Sequence, residues 1–253
     1  MGDSPLCKAM KQLGFSLVKQ PRRIELLRLL ERDGDALFEL HDLPDISPDI
    51  GVCDLAPDGL DNISDLFAGK RSKRFGGEAA VAAFENRLMS LGVMNPTIKA
   101  EASKVKSVEF YFTNVQRQAV LPGKVKACLH RVNFESWFID DYLNTKLYLI
   151  TAVLQSNGFA IATAESSTLD LDVFGCAGLH AESSAAGLYT FSNPKQWKVF
   201  AVQAHPAVLR KDNGHRMELQ LSDAVPGEVK ALGPPIVGEV ELPFEVEIRP
   251  KGE

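Results

Sequence analysis

Residues Lys146–Ala164 read KLYLITAVLQSNGFAIATA. Lys146–Ser156 is a near-continuous apolar run rich in β-branched and aromatic residues. It falls far short of the roughly 20 residues that a membrane helix needs, and it fits a strand buried on both faces. Asn157-Gly158 is a hairpin turn signal, and Phe159–Ala164 resumes the apolar pattern as the next strand. A buried strand followed by a turn and a second strand makes antiparallel sheet the organising layer.

Reading outward, residues Ile98–Phe112 alternate. Ile98, Ala100, Ala102, Val108, Phe110 and Phe112 share one parity, and Lys99, Glu101, Ser103, Glu109 and Tyr111 share the other. This predicts one long strand, with Lys104 and Lys106 marking where the apolar face leaves the core. Phe15–Lys19, Thr168–Val173, Leu188–Phe191 and Trp197–Val202 read as further strands. Ile24–Glu31 fits either a helix or a strand. Asp3-Ser4-Pro5 supplies a capping side chain and a first-turn proline, so a short helix follows with Leu6, Met10 and Leu13 on one stripe. Ala79–Leu91, Leu121–Arg131 and Asn133–Asn144 read as helices. The last has Phe134, Trp137, Phe138 and Tyr142 as its core stripe. Residues 44–62, rich in Pro, Asp and Gly, read as loop. The expected class is α+β: a twisted, mainly antiparallel central sheet with peripheral helices and no internal repeat.

At the C-terminus Val240, Leu242, Phe244, Val246 and Ile248 occupy one face of an alternating segment, and Glu239, Glu241, Glu245, Glu247 and Arg249 the other. Pro243 lies on the polar side, which predicts an edge strand. Gly233-Pro234-Pro235 precedes it as a linker. The chain therefore divides into a body, residues 1–232, and a short segment, 233–253, that docks as one extra strand on a preformed sheet.

The 253 residues are 45% apolar and 24% charged, an ordinary globular composition. The net charge of −5 argues against a nucleic-acid partner. Charge is unevenly placed: residues 33–67 carry ten acidic side chains and no Lys or Arg, and Lys70-Arg71-Ser72-Lys73-Arg74 then adds four cations. Such runs are solvated faces in the simplest reading. In the sharper one, Lys70, Arg71, Lys73 and Arg74 contact anionic lipid. The first thirty residues lack the apolar block of a secretory signal. The four cysteines, Cys7, Cys53, Cys128 and Cys176, are widely spaced, and reduced thiols in a cytoplasm are the simplest expectation. Enzymatic chemistry has no sequence support. The chain has no H-E-x-x-H, G-x-S-x-G or G-x-G-x-x-G, and Ser64 stands where a phosphate-binding loop ending in Gly69-Lys70 needs its first glycine. Neither cysteines nor histidines fall at metal-ligand spacing, so no cofactor or metal is expected.

In order along the chain come Leu6-Cys7-Lys8, the Leu-rich Ile24–Leu30, the strand ending Val108-Glu109-Phe110-Tyr111-Phe112, then Leu147–Ser156 and Val199–Ala204. With the total length and the short tail, this succession resembles a bacterial gasdermin nearly end to end. The resemblance implies an autoinhibited, monomeric pore-forming protein of bacterial antiphage defence. A caspase-like or related protease removes the C-terminal peptide, and the body oligomerises as a large β-barrel pore in the inner membrane and kills the cell. It also implies palmitoylation at Cys7, which the residues alone would make a small buried hydrophobe. The acyl chain is expected beside Met10 and Leu13. The cut is expected between Asp223 and Pro235, with Asp223, Lys230 and Leu232 as plausible positions. In the membrane, two hairpins are expected from residues 70–112 and 158–192, with the helix Ala79–Leu91 straightening into strand. A soluble lipid or small-molecule carrier with an apolar cavity is the alternative.

Overall fold

The computed structural model describes residues 4–34, 36–93, 95–143, 145–163, 169–176, 178–185, 187–210, 216–219 and 245–250. Its strands are β1 (Ser16–Arg22), β2 (Arg28–Asp33), β3 (Ala36–Asp42), β4 (Leu60–Asn62), β5 (Phe75–Gly76), β6 (Ser107–Thr113), β7 (Gln116–Ala119), β8 (Leu147–Ser156), β9 (Gly158–Thr163), β10 (His180–Ala185), β11 (Leu188–Ser192), β12 (Lys198–Arg210), β13 (Arg216–Leu219) and β14 (Glu245–Arg249). The helices are α1 (Pro5–Gln12), α2 (Leu43–Ile46), α3 (Ser64–Phe67), α4 (Glu78–Ser90), α5 (Pro96–Ala102), α6 (Pro122–Leu129), α7 (Ser136–Tyr142) and α8 (Leu171–Cys176), with a 3₁₀ turn at Pro48–Val52.

The strands form two sheets. The larger runs β13-β12-β1-β14-β3-β2-β8-β7-β4, and β12 also pairs with β8. That extra pairing closes a ring, β12-β1-β14-β3-β2-β8, whose last strand returns to its first. All six staves contribute to one buried cluster: Val18, Leu30, Leu37, Tyr148, Val199, Val202, Val246 and Ile248 among others. The inside of this small barrel is thus packed with side chains. The second sheet runs β10-β11-β9-β6-β5, with α4, α5 and α8 packed on it. Phe84 of α4 meets Phe159, Phe174 and Phe191 there, with ring centroids 6.2, 6.2 and 5.5 Å away. Helices α2, α6 and α7 cover another flank of the large sheet, and α1 and α3 cover a third.

Several expectations are corrected. Ile98–Phe112 is not one strand. Asn95 caps α5 by accepting from Thr97 N at 2.9 Å, Pro96 opens it, and Ile98, Glu101 and Ala102 are its buried side, so β6 begins only at Ser107. The 98/100/102 alternation coincided with a helical 98/101/102 stripe, and the Asn-Pro start decides between them. Residues 171–173 of the expected strand Thr168–Val173 belong to helix α8; Thr168 lies outside the described residues. The loop at 44–62 contains α2 and the 3₁₀ turn. Ile24–Glu31 resolves as a turn leading into β2, with Leu27 in the left-handed region (φ 61°). On α7, Phe138 and Tyr142 are core but Trp137 is 43% exposed.

Asn157-Gly158 does not make a hairpin. β8 belongs to the large sheet and β9 to the small one, so the chain changes layer here. Ser156 Oγ donates to Thr113 O (2.5 Å) and accepts from Gly158 N (3.1 Å). Asn157 Oδ1 accepts from Asn114 Nδ2 at 2.9 Å, and its carbonyl accepts from Asn193 N at 2.8 Å. Asn114 and Asn193 lie in two further links that cross between the sheets, β6 to β7 and β11 to β12, the remaining crossing being β4 to β5. Three of the four crossings meet at one hydrogen-bonded node.

The C-terminal strand is interior to its sheet, not at an edge: β14 lies between β1 and β3 and runs parallel to both. The described strand begins at Glu245, after Pro243, so the proline removes no donor from this stretch. The expectation of four free thiols also fails, because Cys53 and Cys128 form a disulfide with Cα atoms 5.7 Å apart across 75 residues of sequence. It ties the turn after Val52 to α6.

Candidate functional site: the slot of the C-terminal strand

The slot is made by β1 and β3. Neither pairs directly with the other. β14 fills the gap with Leu17 opposite Glu245 and Val18 opposite Val246 on one side. On the other, Glu247, Ile248 and Arg249 face Ala36, Leu37 and Phe38. Val246 and Ile248 are buried in the barrel interior, and Glu247 pairs with Arg249 on the outside at 2.6 Å.

A guanidinium fastens the far end. Arg22 Nη1 donates to Ile248 O at 3.1 Å, while its Nη2 pairs with Glu39 Oε1 at 2.9 Å. One side chain of β1 therefore holds both β14 and β3. Arg28 extends the network to Asp42 at 3.0 Å. Burial pushes the Glu39 carboxyl above its ordinary range, and it outweighs the attraction of Arg22 and Arg28. Asp42 is raised for the same reason, against the pull of Arg28.

The tail positions Val246 and Ile248 fall in the slot. Val240, Leu242 and Phe244, and the cleavage candidates Asp223, Lys230 and Leu232, lie outside the described residues. The clasp residues Arg22 and Glu39 carried no distinguishing sequence signal. Arg22 sits in an ordinary basic run after a strand, and only the parallel insertion makes it a contact to the tail.

The second group of expected residues adjoins α1. Ser4 Oγ accepts from Cys7 N at 3.2 Å and caps the helix. Cys7 is half-buried with a free thiol. Met10 is fully buried in a cluster that includes Phe67 and Phe200, whereas Leu13 is 39% exposed. The basic run reaches this helix directly: Leu6 N donates to Arg71 O at 3.2 Å. Lys70 is half-buried, and Arg71, Lys73 and Arg74 are exposed. Arg71 pairs with Glu109 at 3.3 Å, and Arg74 Nη2 donates to Ser107 Oγ at 3.1 Å, which pins the run along β6. Residues 70–112 and 158–192 together hold every strand of the small sheet and its helices α4, α5 and α8. Among the described residues no group of three or more His, Cys, Asp or Glu is placed to hold a metal. No described helix is long and apolar enough to cross a membrane.

Residues 21–215 match the Bacterial Gasdermin Family. The chain belongs to that family. Gasdermin bGSDM of Vitiosangium sp. (strain GDMCC 1.1324) is 26% identical over 184 residues, covering 68% of this chain and 66% of that protein. This chain thus aligns with slightly under two thirds of its gasdermin relative's length. A solved bacterial gasdermin from Bradyrhizobium tropiciagri superposes with a TM-score of 0.60 at 13% identity, covering 98% of this chain and all of the other. The likeness establishes a gasdermin fold for the whole architecture of barrel, small sheet and flanking helices.

Proposed function

We propose that this gasdermin is a pore-forming protein whose C-terminal strand holds it in the resting state. The observation that carries the reading is β14 as the sixth stave of the closed barrel, clasped by Arg22. A protease that cuts between Asp223 and Pro235, at Asp223, Lys230 or Leu232, removes the covalent tether. The tail then holds its slot only as a separate peptide, diluted from an effective concentration of roughly millimolar. Residues 234–253 carry a local charge of −3, so their loss also makes the body less acidic. The body assembles with further copies in the inner membrane of a bacterium, and the small sheet's two segments become the spanning hairpins, with α4 straightening into strand. Palmitate on Cys7 and the cations Lys70, Arg71, Lys73 and Arg74 form one membrane-attachment face, since α1 and the basic run adjoin. The biological role is death of the phage-infected cell.

The test is expression of residues 1–232 beside the full chain, with purified protein added to dye-loaded vesicles. Toxicity and dye release by the truncated form alone support the reading. A truncated form that loses stability but releases no dye supports the carrier reading instead. Intact mass of protein from native membranes checks Cys7: a shift of one palmitoyl group is expected.

A further inference from the structure

α4 and α5 lie between two strands that already pair, so the register set there says what straightening the helices would make. β5 is antiparallel to β6, with Phe75 opposite Val108 and Gly76 opposite Ser107. Continued through α4 and α5, the same register puts Ser90 opposite Val93 and leaves Leu91-Gly92 as a two-residue turn. Gly92 already has φ 83°, a left-handed conformation of the kind such turns use and glycine takes without strain. The alternation of residues 98–112, which α5 interrupts in the resting structure, becomes continuous in that arm. Both arms, residues 75–90 and 93–108, exceed the roughly 9–11 residues that span a bilayer.

In the resting structure Leu91 is held from outside. It caps the C-terminal end of α4 and is 2% exposed. Gly92 N donates to Met89 O at 2.9 Å and Val93 N to Leu88 O at 3.2 Å, so the reversal at Gly92 satisfies two of the last carbonyls. The carbonyl of Leu91 accepts instead from Asn193 Nδ2 at 2.9 Å. Asn193 Oδ1 accepts from Lys195 N at 3.1 Å, and Asn193 N is the donor to Asn157 O at the node. Asn193 directly follows β11, outside both segments proposed to enter the membrane. Among the described residues no other hydrogen bond joins α4 or its cap to a barrel strand or to a link between the sheets.

We infer that the Asn193 amide is a latch on the future tip of the first hairpin, and that its opening gates insertion. The inference rests on the pore reading above. The 13 residues of α4 cover about 20 Å as a helix and about 43 Å as a strand, so the tip leaves Asn193 when the arm extends. The bond from Asn193 N to Asn157 O faces no such change, because β9 and β11, the strands it adjoins, are already paired. Side-chain donation therefore holds the helix, and backbone donation holds the crossings. Asn193 is a positioning residue that acts through Leu91.

The experiment uses the full chain with a site for a sequence-specific protease placed between Asp223 and Pro235. It is studied uncut by hydrogen exchange, and cut in the presence of dye-loaded vesicles. Asn193→Asp keeps the acceptor for Lys195 N and removes the donor to Leu91 O, and Asn193→Ala is the second variant. Ser47→Ala is the control, since it loses a 2.8 Å bond from a buried hydroxyl to Asn133 O away from the latch. In the uncut protein, amides of residues 84–93 should exchange about fivefold faster in both Asn193 variants, with β8 and β12 unchanged, since one neutral hydrogen bond is worth about that factor. After the cut, dye release should quicken by a similar factor in those variants and not in Ser47→Ala. Unchanged exchange at residues 84–93, uniform acceleration across both sheets, or release at the wild-type rate overturns the latch. A cut wild type that releases no dye overturns the pore reading itself, and the gate with it, whatever the exchange pattern.

Discussion

Replacing Val246 and Ile248 together by alanine probes the stave directly. Both side chains are buried in the barrel interior. The double variant removes roughly five carbons, which at ~0.8 kcal/mol each is about 4 kcal/mol before any cavity contribution. Among the described strands, β14 pairs with β1 and β3 alone. The loss should therefore fall first on tail departure, not on global unfolding, and raise the population of the open slot about a thousandfold. Native-state hydrogen exchange by mass spectrometry is the assay. Peptides covering β1 and β3 should exchange far faster, while those covering β9 and β11 in the small sheet should not change. Uncut double variant should also permeabilise vesicles that the wild type leaves intact. Uniform acceleration in both sheets, or unchanged β1 and β3, would refute the claim that the tail is a separately removable stave.

Three further outcomes are expected. Reducing the Cys53–Cys128 disulfide, or substituting Cys128→Ser, should lower the unfolding free energy by about 4 kcal/mol for a closed loop of this size; denaturant midpoints with and without reductant measure it, and Cys7→Ser should not respond. His205 is held below its ordinary pKa of 6.5 by burial, and its Nε2 has no partner among the described residues, so the folded state resists protonation. Stability should be complete above pH 6.5 and fall as pH drops below it, and His205→Phe should remove that part of the slope in urea titrations across pH. Gly158→Ala would put a Cβ 2.6 Å from Thr113 Oγ1 and 2.7 Å from Phe191 O, and should cost about 1–3 kcal/mol, whereas Gly123→Ala in α6 meets nothing within 4 Å and should stabilise by about 0.5 kcal/mol; thermal melts compare the two.

Much of the element pattern was legible because single residues announced it. Ser4-Pro5 opens α1, and the apolar run 147–156 is β8, buried on both faces as its composition requires. What the chain's local pattern could not carry is partnership. The Asn157-Gly158 signal is chemically the same whether the chain folds back or passes into a second sheet; the choice rests on Asn114 and Asn193, 43 and 36 residues away. The edge placement of the tail followed from Pro243, but the described strand, from Glu245 on, lies inside the sheet. Cys53 and Cys128 are brought together only by packing of α6. At the candidate site Val246 and Ile248 were readable from alternation. Arg22 and Glu39 were not, since an arginine engaged by a distant carbonyl looks in sequence like any other.

The ring's neighbours are far apart in time as well as in sequence. β1 and β3 lie within the first 42 residues, and β14 is the last described strand to leave the ribosome. A chain grows at roughly 5–20 residues per second and folds from its N-terminus as it emerges. Every newly made molecule therefore passes through a stage, lasting about seconds, in which β1 and β3 exist and β14 does not. Synthesis of β14 is what closes the barrel, and a pause before it would prolong the open stage.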